Sequence, residues 1–459
     1  MKWSLEGQRP SEILTDLYLA AMVSVFLLFP GVQGYTSTTQ DKFVLLCWLS
    51  GGYILLSLAI PLEVWLVGGC RPKLSSTVLK KAGGTQLLMG LYLLWAVLAT
   101  VCSVDPVRSL WGGPRREGLV SLALYVGAFF FVSCSARVKK WHLWLFAVCI
   151  SLCCAVSLIQ LAGYNPFGLY PAGMTFYDGN VRYAGQFLGT VGNVGLLTAV
   201  LCIAIPAFWT AVLRMRGKDR FGLLIPLGLS LAVLLGSKVE AGIVGVFGGV
   251  LLTVPVVVPE KGNNRRVLAA AAGGIIVAAL AGVYLFGEHL PGFLYEANRV
   301  LHGQAEDTFG SGRIYIWRSV LPLLQERPLL GGGPETLGLR GEILFERFSE
   351  ELGIMLRSYV DTAHNEYLNV AVELGIPALI FYLGALLCGA VFWVKKSPGS
   401  PEAAVCGAGV LGYCIQAFFG ISSVVSAPFL WLMLGLLVST GGKYEVGEVR
   451  TDKKKRKRK

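Results

Sequence analysis

The stretch Val267–Gly287, with the sequence VLAAAAGGIIVAALAGVYLFG, decides the class of fold. Its 21 residues include no charged side chain, and a helix needs about 20 apolar residues to cross a bilayer. Comparable apolar blocks recur along the chain, among them Phe43–Gly68 and Gln86–Cys102. Backbone in hydrocarbon must satisfy its own hydrogen bonds, and barrel strands would alternate over about ten residues. We therefore predict an all-α polytopic integral membrane protein.

The composition excludes an ordinary soluble domain. Of the 459 residues, 54% are hydrophobic and 15% are charged, whereas soluble domains are about 25% charged. We predict about 12 transmembrane helices in four regions: spans 1–9 in residues 1–287, a large helical extracytoplasmic loop in 288–363, spans 10–12 in 364–441, and a basic cytoplasmic tail in 442–459. The spans are placed at 17–33, 43–69, 85–102, 119–134, 142–162, 185–212, 222–236, 240–258, 267–287, 368–394, 404–420 and 426–441.

The net charge of +12 lies in short basic connections that alternate with connections poor in lysine. This alternation is the positive-inside pattern of membrane proteins. It predicts a cytoplasmic N-terminus and C-terminus, and it places the basic tail Lys453–Lys459 against anionic membrane lipid. Because no base-reading element accompanies the charge, we expect no nucleic acid partner.

The loop 288–363 carries two apolar patterns at helical spacing. Both predict amphipathic helices along the membrane–water boundary. A structured loop of this length is more often functional than a linker. The first pattern is Ile314, Trp317, Val320, Leu321 and Leu324, and the second is Ile343, Phe345, Phe348, Leu352 and Met355.

Of the four histidines, His364 has the most suggestive setting. It stands in Asp361–Tyr367 (DTAHNEY), where the predicted loop re-enters the membrane. Histidine titrates near neutral pH and can exchange a proton with a hydroxyl group. On position alone, the ordinary interpretation is an interfacial histidine that only caps the next helix, and this alternative stays open.

Three cations in the predicted outer connections are candidates for binding an anion. Arg182 and Arg313 are flanked or followed by glycines, and a guanidinium binds phosphate oxygens bidentately. Lys238 interrupts an apolar region, where a charge is costly and is often functional. The alternative for Lys238 is an ion pair with Glu240.

The sequence contains no motif typical of a metal centre. HExxH, paired CxxC and outer-loop DxD motifs are absent, as is a Walker A loop. We therefore expect no metal site and no cofactor.

Three motifs lie close together between residues 310 and 380, and together they resemble the O-antigen ligase and polymerase superfamily of bacterial envelope glycosyltransferases. Ser103–Gly118 and Gly189–Asn193 are similar to further features of that superfamily. The three motifs are Gly312-Arg313 with Trp317, the run Arg327-Pro328-Leu329-Leu330-Gly331-Gly332-Gly333, and His364-Asn365 followed after nine residues by Gly375.

The resemblance implies an inverting glycosyltransferase at the outer face of the bacterial cytoplasmic (inner) membrane. Its donor would be a glycan linked through diphosphate to undecaprenol, and its acceptor a hydroxyl of a glycan, a lipid or a protein. It implies catalytic roles for His364 and Asn365, and donor pyrophosphate binding by Arg313, Lys238 and Arg182.

The resemblance also assigns Arg116, Asp361 and Tyr367 to acceptor binding or loop positioning. One departure from the family pattern concerns the donor site. Members commonly carry a Ser-Arg pair where this chain has Ser237-Lys238, and a lysine keeps the charge but loses the planar fork.

Two alternatives stay open at this level. A polymerase of lipid-linked repeat units would share the fold and the donor with a ligase. A transporter or flippase of lipid-linked glycans would instead need a polar path through the membrane, for which Glu63, Gln160 and Glu373 are the candidates.

Overall fold

The computed structural model describes residues 9–68, 83–177, 184–258, 263–349 and 354–441. The predicted donor-binding Arg182 and the basic tail Lys453–Lys459 lie outside the described residues. The helices are α1 Pro10–Ala21, α2 Thr38–Leu46, α3 Gly52–Gly68, α4 Gly84–Val101, α5 Pro106–Trp111, α6 Leu119–Ser135, α7 Lys140–Leu161, α8 Val194–Arg214, α9 Leu224–Gly236, α10 Glu240–Val257, α11 Asn263–Phe286, α12 Phe293–Leu301, α13 Phe309–Glu326, α14 Leu337–Arg340, α15 Glu366–Leu374, α16 Ile376–Lys396, α17 Pro401–Ala417 and α18 Ala427–Ser439. π-Helical turns at Met22–Phe26 and Cys47–Gly51 extend α1 and join α2 to α3.

Eight helical segments of the described chain are long and apolar enough to cross a membrane. Two shorter apolar helices, α6 and α18, coincide with further predicted spans. The other two predicted spans, 17–33 and 404–420, overlap α1 with its π-helical extension and α17, although the first helix starts at Pro10 and ends at Leu28. The chain is therefore a polytopic, predominantly helical membrane protein, and the total of twelve crossings stays a prediction. The eight segments are Thr38–Ile60, Gly84–Val101, Lys140–Leu161, Val194–Arg214, Lys218–Gly236, Glu240–Val257, Asn264–His289 and Ile376–Lys396.

Two further predicted spans contain non-helical residues that the sequence did not reveal. The span predicted from residue 185 begins as a helix only at Val194, because Gly189 and Gly192 adopt positive φ angles in the preceding turn. The span 368–394 is two helices, α15 and α16, separated at Gly375, which has a φ of 91°. Hydropathy alone does not detect either break, since the residues on both sides are apolar.

Helix α8 forms the centre of the bundle. Over its most apolar 18 residues, α8 is 83% buried. The corresponding part of 264–289 is only 6% buried, so most of its side chains face outward. α8 packs against α10 and α17, where Gly245 lies close to Cys202 and Gly412 lies against the backbone of the same cysteine. Small residues at such crossings let helix backbones approach closely, as membrane helices commonly require.

The segment 288–363 is only partly helical. Helix α13 contains the first predicted apolar pattern, although Gly310, Ser311 and Gly312 all adopt left-handed backbone angles at its start. The second predicted helix is wrong, because Leu344–Ser349 (β1) and Ile354–Tyr359 (β2) form an antiparallel hairpin. The pairing places Glu346 opposite Arg357, whose side chains form a 2.7 Å ion pair. The spacing of apolar residues along a dozen positions does not show which residues will lie opposite each other in a hairpin.

A small apolar core fixes this segment to the bundle. Ile316, Val320 and Leu323 of α13 pack with Ile343 and with Val372 of α15. The core joins α13, the start of the hairpin and α15. It thereby holds the arginine of α13 and the histidine that precedes α15 in one rigid neighbourhood.

Candidate functional site

His364 lies in a short turn that the surrounding chain holds in place. The amide oxygen of Asn369 accepts hydrogen bonds from the Thr362 hydroxyl (3.2 Å) and from the Ala363 N–H (3.1 Å). The indole N–H of Trp317 donates to the Ala363 carbonyl at 3.0 Å. His364 itself has a φ of 47°, a left-handed conformation that costs a non-glycine residue about 1 kcal/mol or more unless its environment imposes it.

Burial keeps the imidazole of His364 neutral near pH 7. Burial lowers its pKa from 6.5 to about 4, the positive charges of Arg313 and Arg115 act in the same direction, and the carboxylate of Asp361 opposes them. Within the described part of the chain, no side chain or carbonyl forms a hydrogen bond with the ring. A neutral ring with a free nitrogen can bind a hydroxyl group of a substrate.

Arg313 presents a positive charge without an ion-pair partner among the described residues. Its Nε and Nη2 donate to the Phe419 carbonyl at 3.1 and 2.9 Å, and Nη1 donates to the Gly310 carbonyl. These bonds use three of the five N–H groups of the guanidinium. Burial lowers the pKa of Arg313, and the nearby carboxylates of Glu240 and Glu296 counteract that effect. Two N–H groups and a full positive charge are thus available to an anion.

The Asn365-x9-Gly375 spacing is the length of one helix. Asn365 is the N-cap of α15, since its side-chain oxygen accepts the Leu368 N–H at 3.0 Å. Gly375 ends the nine-residue helix with a positive φ, and a Cβ there would collide with the Leu329 carbonyl. The motif therefore fixes where α15 starts and stops, and with it the position of His364.

The glycine run before Pro334 brings separate parts of the chain together. Gly331 packs directly on the backbone of Glu373, and Gly333 donates its N–H to the Glu373 carbonyl at 2.8 Å. A Cβ on Gly333 would collide with the Ser103 hydroxyl, which donates to the Gly332 carbonyl at 2.9 Å. The run is therefore a junction between α15 and the connection after α4.

Arg115 reaches the histidine turn from a distant part of the chain. Its Nη2 donates a hydrogen bond to the Asp361 carbonyl (3.3 Å) and forms a buried ion pair with Glu373 (3.2 Å). Its Nε is buried without a hydrogen-bond partner in the described part of the chain. Together with Glu117 and Glu366, Arg115 lines a cavity of about 40 Å³, which is large enough for a few water molecules.

The carboxylates around this cavity are held by hydroxyl and backbone donors. Tyr125 and Ser422 donate to Glu117 at 2.6 and 2.8 Å, and burial raises the pKa of Glu117 to about 8. Tyr382 and Tyr413 donate to Glu366 at 2.6 and 2.9 Å, and burial raises its pKa as well.

A fourth carboxylate, Glu335, joins the glycine run to the connection after α5. Its two oxygens accept the backbone N–H groups of Gly113 and Glu117. Sequence reasoning assigned no role to Glu335 or Glu366, although a carboxylate beside apolar blocks was a usable signal.

Lys238 and Arg116, which were also chosen from the sequence, form no hydrogen bond or ion pair with the histidine turn. Lys238 is exposed on the turn between α9 and α10, with a φ of 55°, and the structure shows no ion pair with Glu240. Arg116 lies over the ring of Phe43 (5.5 Å), while its neighbour Arg115 is the one that reaches Asp361.

Two further side chains of this region have structural contacts. Tyr367 anchors α15 by donating to the Cys414 carbonyl of α17 at 2.6 Å. The side chain of Arg340 is also buried. It bonds to the carbonyls of Val372 and Leu323.

The matched segment of the chain contains both His364 and Arg313. Residues 225–383 match the O-antigen ligase family. No curated protein matches the chain. The match runs from α9 through the hairpin into α16, so it includes the histidine turn, the glycine run and the Asn-x9-Gly helix. The resemblance to the O-antigen ligase-like superfamily is confirmed.

Proposed function

We propose that this O-antigen ligase-like protein is an inverting glycosyltransferase, which moves a glycan from an undecaprenyl-diphosphate donor to an acceptor hydroxyl. The observation that carries the proposal is that two groups occur together. His364 is neutral and its ring forms no hydrogen bond with a described residue, and Arg313, which has no ion-pair partner among the described residues, lies close enough for its charge to lower the pKa of the histidine. Transfer from a diphosphate donor requires a group that accepts a proton and a group that stabilises departing negative charge.

The proposed glycan transfer is a single displacement at the anomeric carbon. The acceptor oxygen forms a bond to the anomeric carbon on the face opposite the diphosphate, and the bond from that carbon to the diphosphate oxygen breaks. A ring nitrogen of His364 takes the acceptor's hydroxyl proton. The diphosphate leaves on undecaprenol, with its additional negative charge next to Arg313.

Three basic residues form the proposed binding site for the donor pyrophosphate. Arg313 offers two free N–H groups to the pyrophosphate, and the exposed Lys238 adds a point charge from the turn two residues before Glu240. Arg182 is kept as a third donor ligand on the family resemblance. Asn365 acts by fixing the start of α15, and Asp361 and Tyr367 hold the turn or the acceptor.

A polymerase of lipid-linked repeat units is the second candidate within the same family. Glycan analysis of a deletion strain distinguishes a ligase from a polymerase. Accumulation of lipid-linked polymer indicates a ligase, and accumulation of single lipid-linked repeat units indicates a polymerase. A transport function has weaker support. Gln160 is bound to Tyr35 and Gly189, while Glu373 is paired with Arg115, so these polar groups belong to separate contacts.

Specific activity of a His364→Ala variant tests the proposal. We expect a loss of about 10²-fold or more, as for removal of a general base, with the protein still inserted and folded. The matched control is His302→Ala, an exposed histidine of the same segment whose ring stacks on Tyr284, which we expect to keep near-normal activity. Near-normal turnover of folded His364→Ala would refute the mechanism.

The same assay tests our proposal that no divalent metal takes part. Cationic side chains take the place of a metal at the diphosphate, so EDTA should leave turnover unchanged. Loss of activity in EDTA with recovery on adding magnesium would contradict this part of the proposal.

A further inference from the structure

A second cavity lies at the opposite end of α16 from the histidine turn. α16 starts at Ile376, next to the candidate site, and its 21 residues carry the chain roughly 30 Å away. The cavity there is formed by the connections that precede α7 and α17 and by the end of α8, and it has a volume of about 530 Å³. This size is typical of ligand sites.

The cavity is lined by basic side chains. Lys139, Lys140, Arg214 and Arg216 face it, and Glu402 is the single carboxylate among its lining residues. Lys139 is neutralised by Glu12 and Asp16 of α1, and Lys140 lies 4.0 Å from Asp219 in an exposed and therefore weak pair. Arg216 is exposed and forms no ion pair with any described residue.

Arg214 supplies a buried donor. Its Nη2 donates to the carbonyls of Ser397 (2.7 Å) and Pro398 (3.1 Å), which fixes the guanidinium against the connection between α16 and α17. Its Nε is buried and has no hydrogen-bond partner among the described residues. Arg214 therefore holds a positive charge in a fixed position at the wall of the cavity.

The basic cavity adjoins an apolar groove. Val138, Leu143 and Val405 line both spaces. The groove, of about 80 Å³, continues between α1, α7 and α18 along side chains such as Leu19 and Leu432. An occupant that fits both spaces has an anionic head and an apolar tail.

We propose that this double cavity binds an anionic membrane phospholipid, with the phosphate next to Arg214 and Arg216 and part of an acyl chain in the groove. Basic pockets between membrane helices are suited to anionic headgroups because charge complementarity and burial of the chain act together. The site is separate from the glycan-transfer site and does not depend on the proposed function.

Binding of phosphatidylglycerol to the purified full-length protein in detergent tests the proposal, with phosphatidylcholine as the zwitterionic comparison. We expect tighter binding of phosphatidylglycerol and a larger upward shift of Tm. The double variant Lys140→Gln/Arg216→Gln should bind phosphatidylglycerol about thirtyfold more weakly, since each basic side chain near an anionic lipid contributes on the order of fivefold.

The matched control is Lys218→Gln/Lys395→Gln, which removes the same charge from exposed positions that do not line the cavity. It should bind phosphatidylglycerol nearly as the unaltered protein does. Equal loss in both double variants would mean a diffuse surface charge and would overturn the proposal. So would equal binding of the two lipids, or a full Tm shift with inorganic phosphate alone.

Discussion

His364 combines a left-handed backbone with a buried, neutral imidazole directly before the N-cap of α15. The burial that lowers its pKa to about 4 also makes it a weak base in the empty protein. A histidine ordinarily titrates at about pH 6.5, and burial moves the pKa of His364 in the substrate-free protein more than two units below that value. A bound diphosphate would bring negative charge beside the ring and favour the protonated imidazolium.

This difference predicts two pH profiles for the unaltered protein. The acidic limb of kcat/KM reports the free enzyme and should have an apparent pKa of about 4. The limb of kcat reports the donor complex and should lie at higher pH, because the anionic donor raises the pKa of His364. Steady-state rates measured across pH check both values, and a kcat limb at or below that of kcat/KM would contradict the assignment.

Arg313→Lys should be nearly as damaging to activity as Arg313→Ala. A lysine keeps the charge, but it cannot maintain the two bonds to the Phe419 carbonyl and still present a planar pair of N–H groups. Arg318→Ala is the matched control. That arginine lies on the same helix, is exposed and pairs with Asp307 at 2.7 Å, so its loss should change activity little.

Arg340 is unsuitable as such a control because it is buried. Similar tolerance at positions 313 and 318, measured as specific activity per folded molecule, would mean that Arg313 is only a surface charge.

At the level of elements, α15 has its ends fixed by two residues of the family signature. Asn365 caps its first turn and Gly375 permits the sharp change of direction into α16. The helix carries Glu373, to which Arg115 and the glycine run are bound. The motif spacing is thus explained by the length of a helix, and the histidine turn is positioned by both ends of the same element.

Substitutions of Asn365 separate capping from direct participation in catalysis. Asn365→Ala should lower the free energy of unfolding by about 1 kcal/mol, the usual contribution of an N-cap. Asn365→Ser, which can cap the helix without adding charge, should restore most of the stability and the activity. A stable Asn365→Ser protein without activity would assign the amide a chemical role beyond the cap.

On the scale of the whole molecule, α16 joins two chemically different ends of the bundle. One end carries the histidine turn and the hairpin, and the other carries the basic cavity with Lys395 and Lys396 nearby. The positive-inside pattern assigns the basic end to the cytoplasm. The candidate site would then open on the outer face, as the proposed function requires.

Cysteine labelling in intact cells or spheroplasts tests this orientation. On a background without the native cysteines, Gln304→Cys should react with a membrane-impermeant thiol reagent, since the side chain is exposed in the segment before α13. Lys395→Cys, exposed at the other end, should react only after the membrane is permeabilised. The reverse pattern would require the opposite topology.

The sequence by itself determined the membrane-helical class and the resemblance to the O-antigen ligase-like superfamily, and it proposed His364 and Arg313 as candidates, because apolar block length and short motifs are local properties. Tertiary structure decided what depends on distant partners. It made a hairpin of the predicted second helix through the antiparallel pairing of β1 with β2, in which Glu346 lies opposite Arg357. It selected Arg115 over Arg116 as the arginine bound to the histidine turn, since only burial against Glu373 distinguishes two adjacent arginines. Contacts between remote segments leave no periodic trace in one sequence, so packing alone sets them.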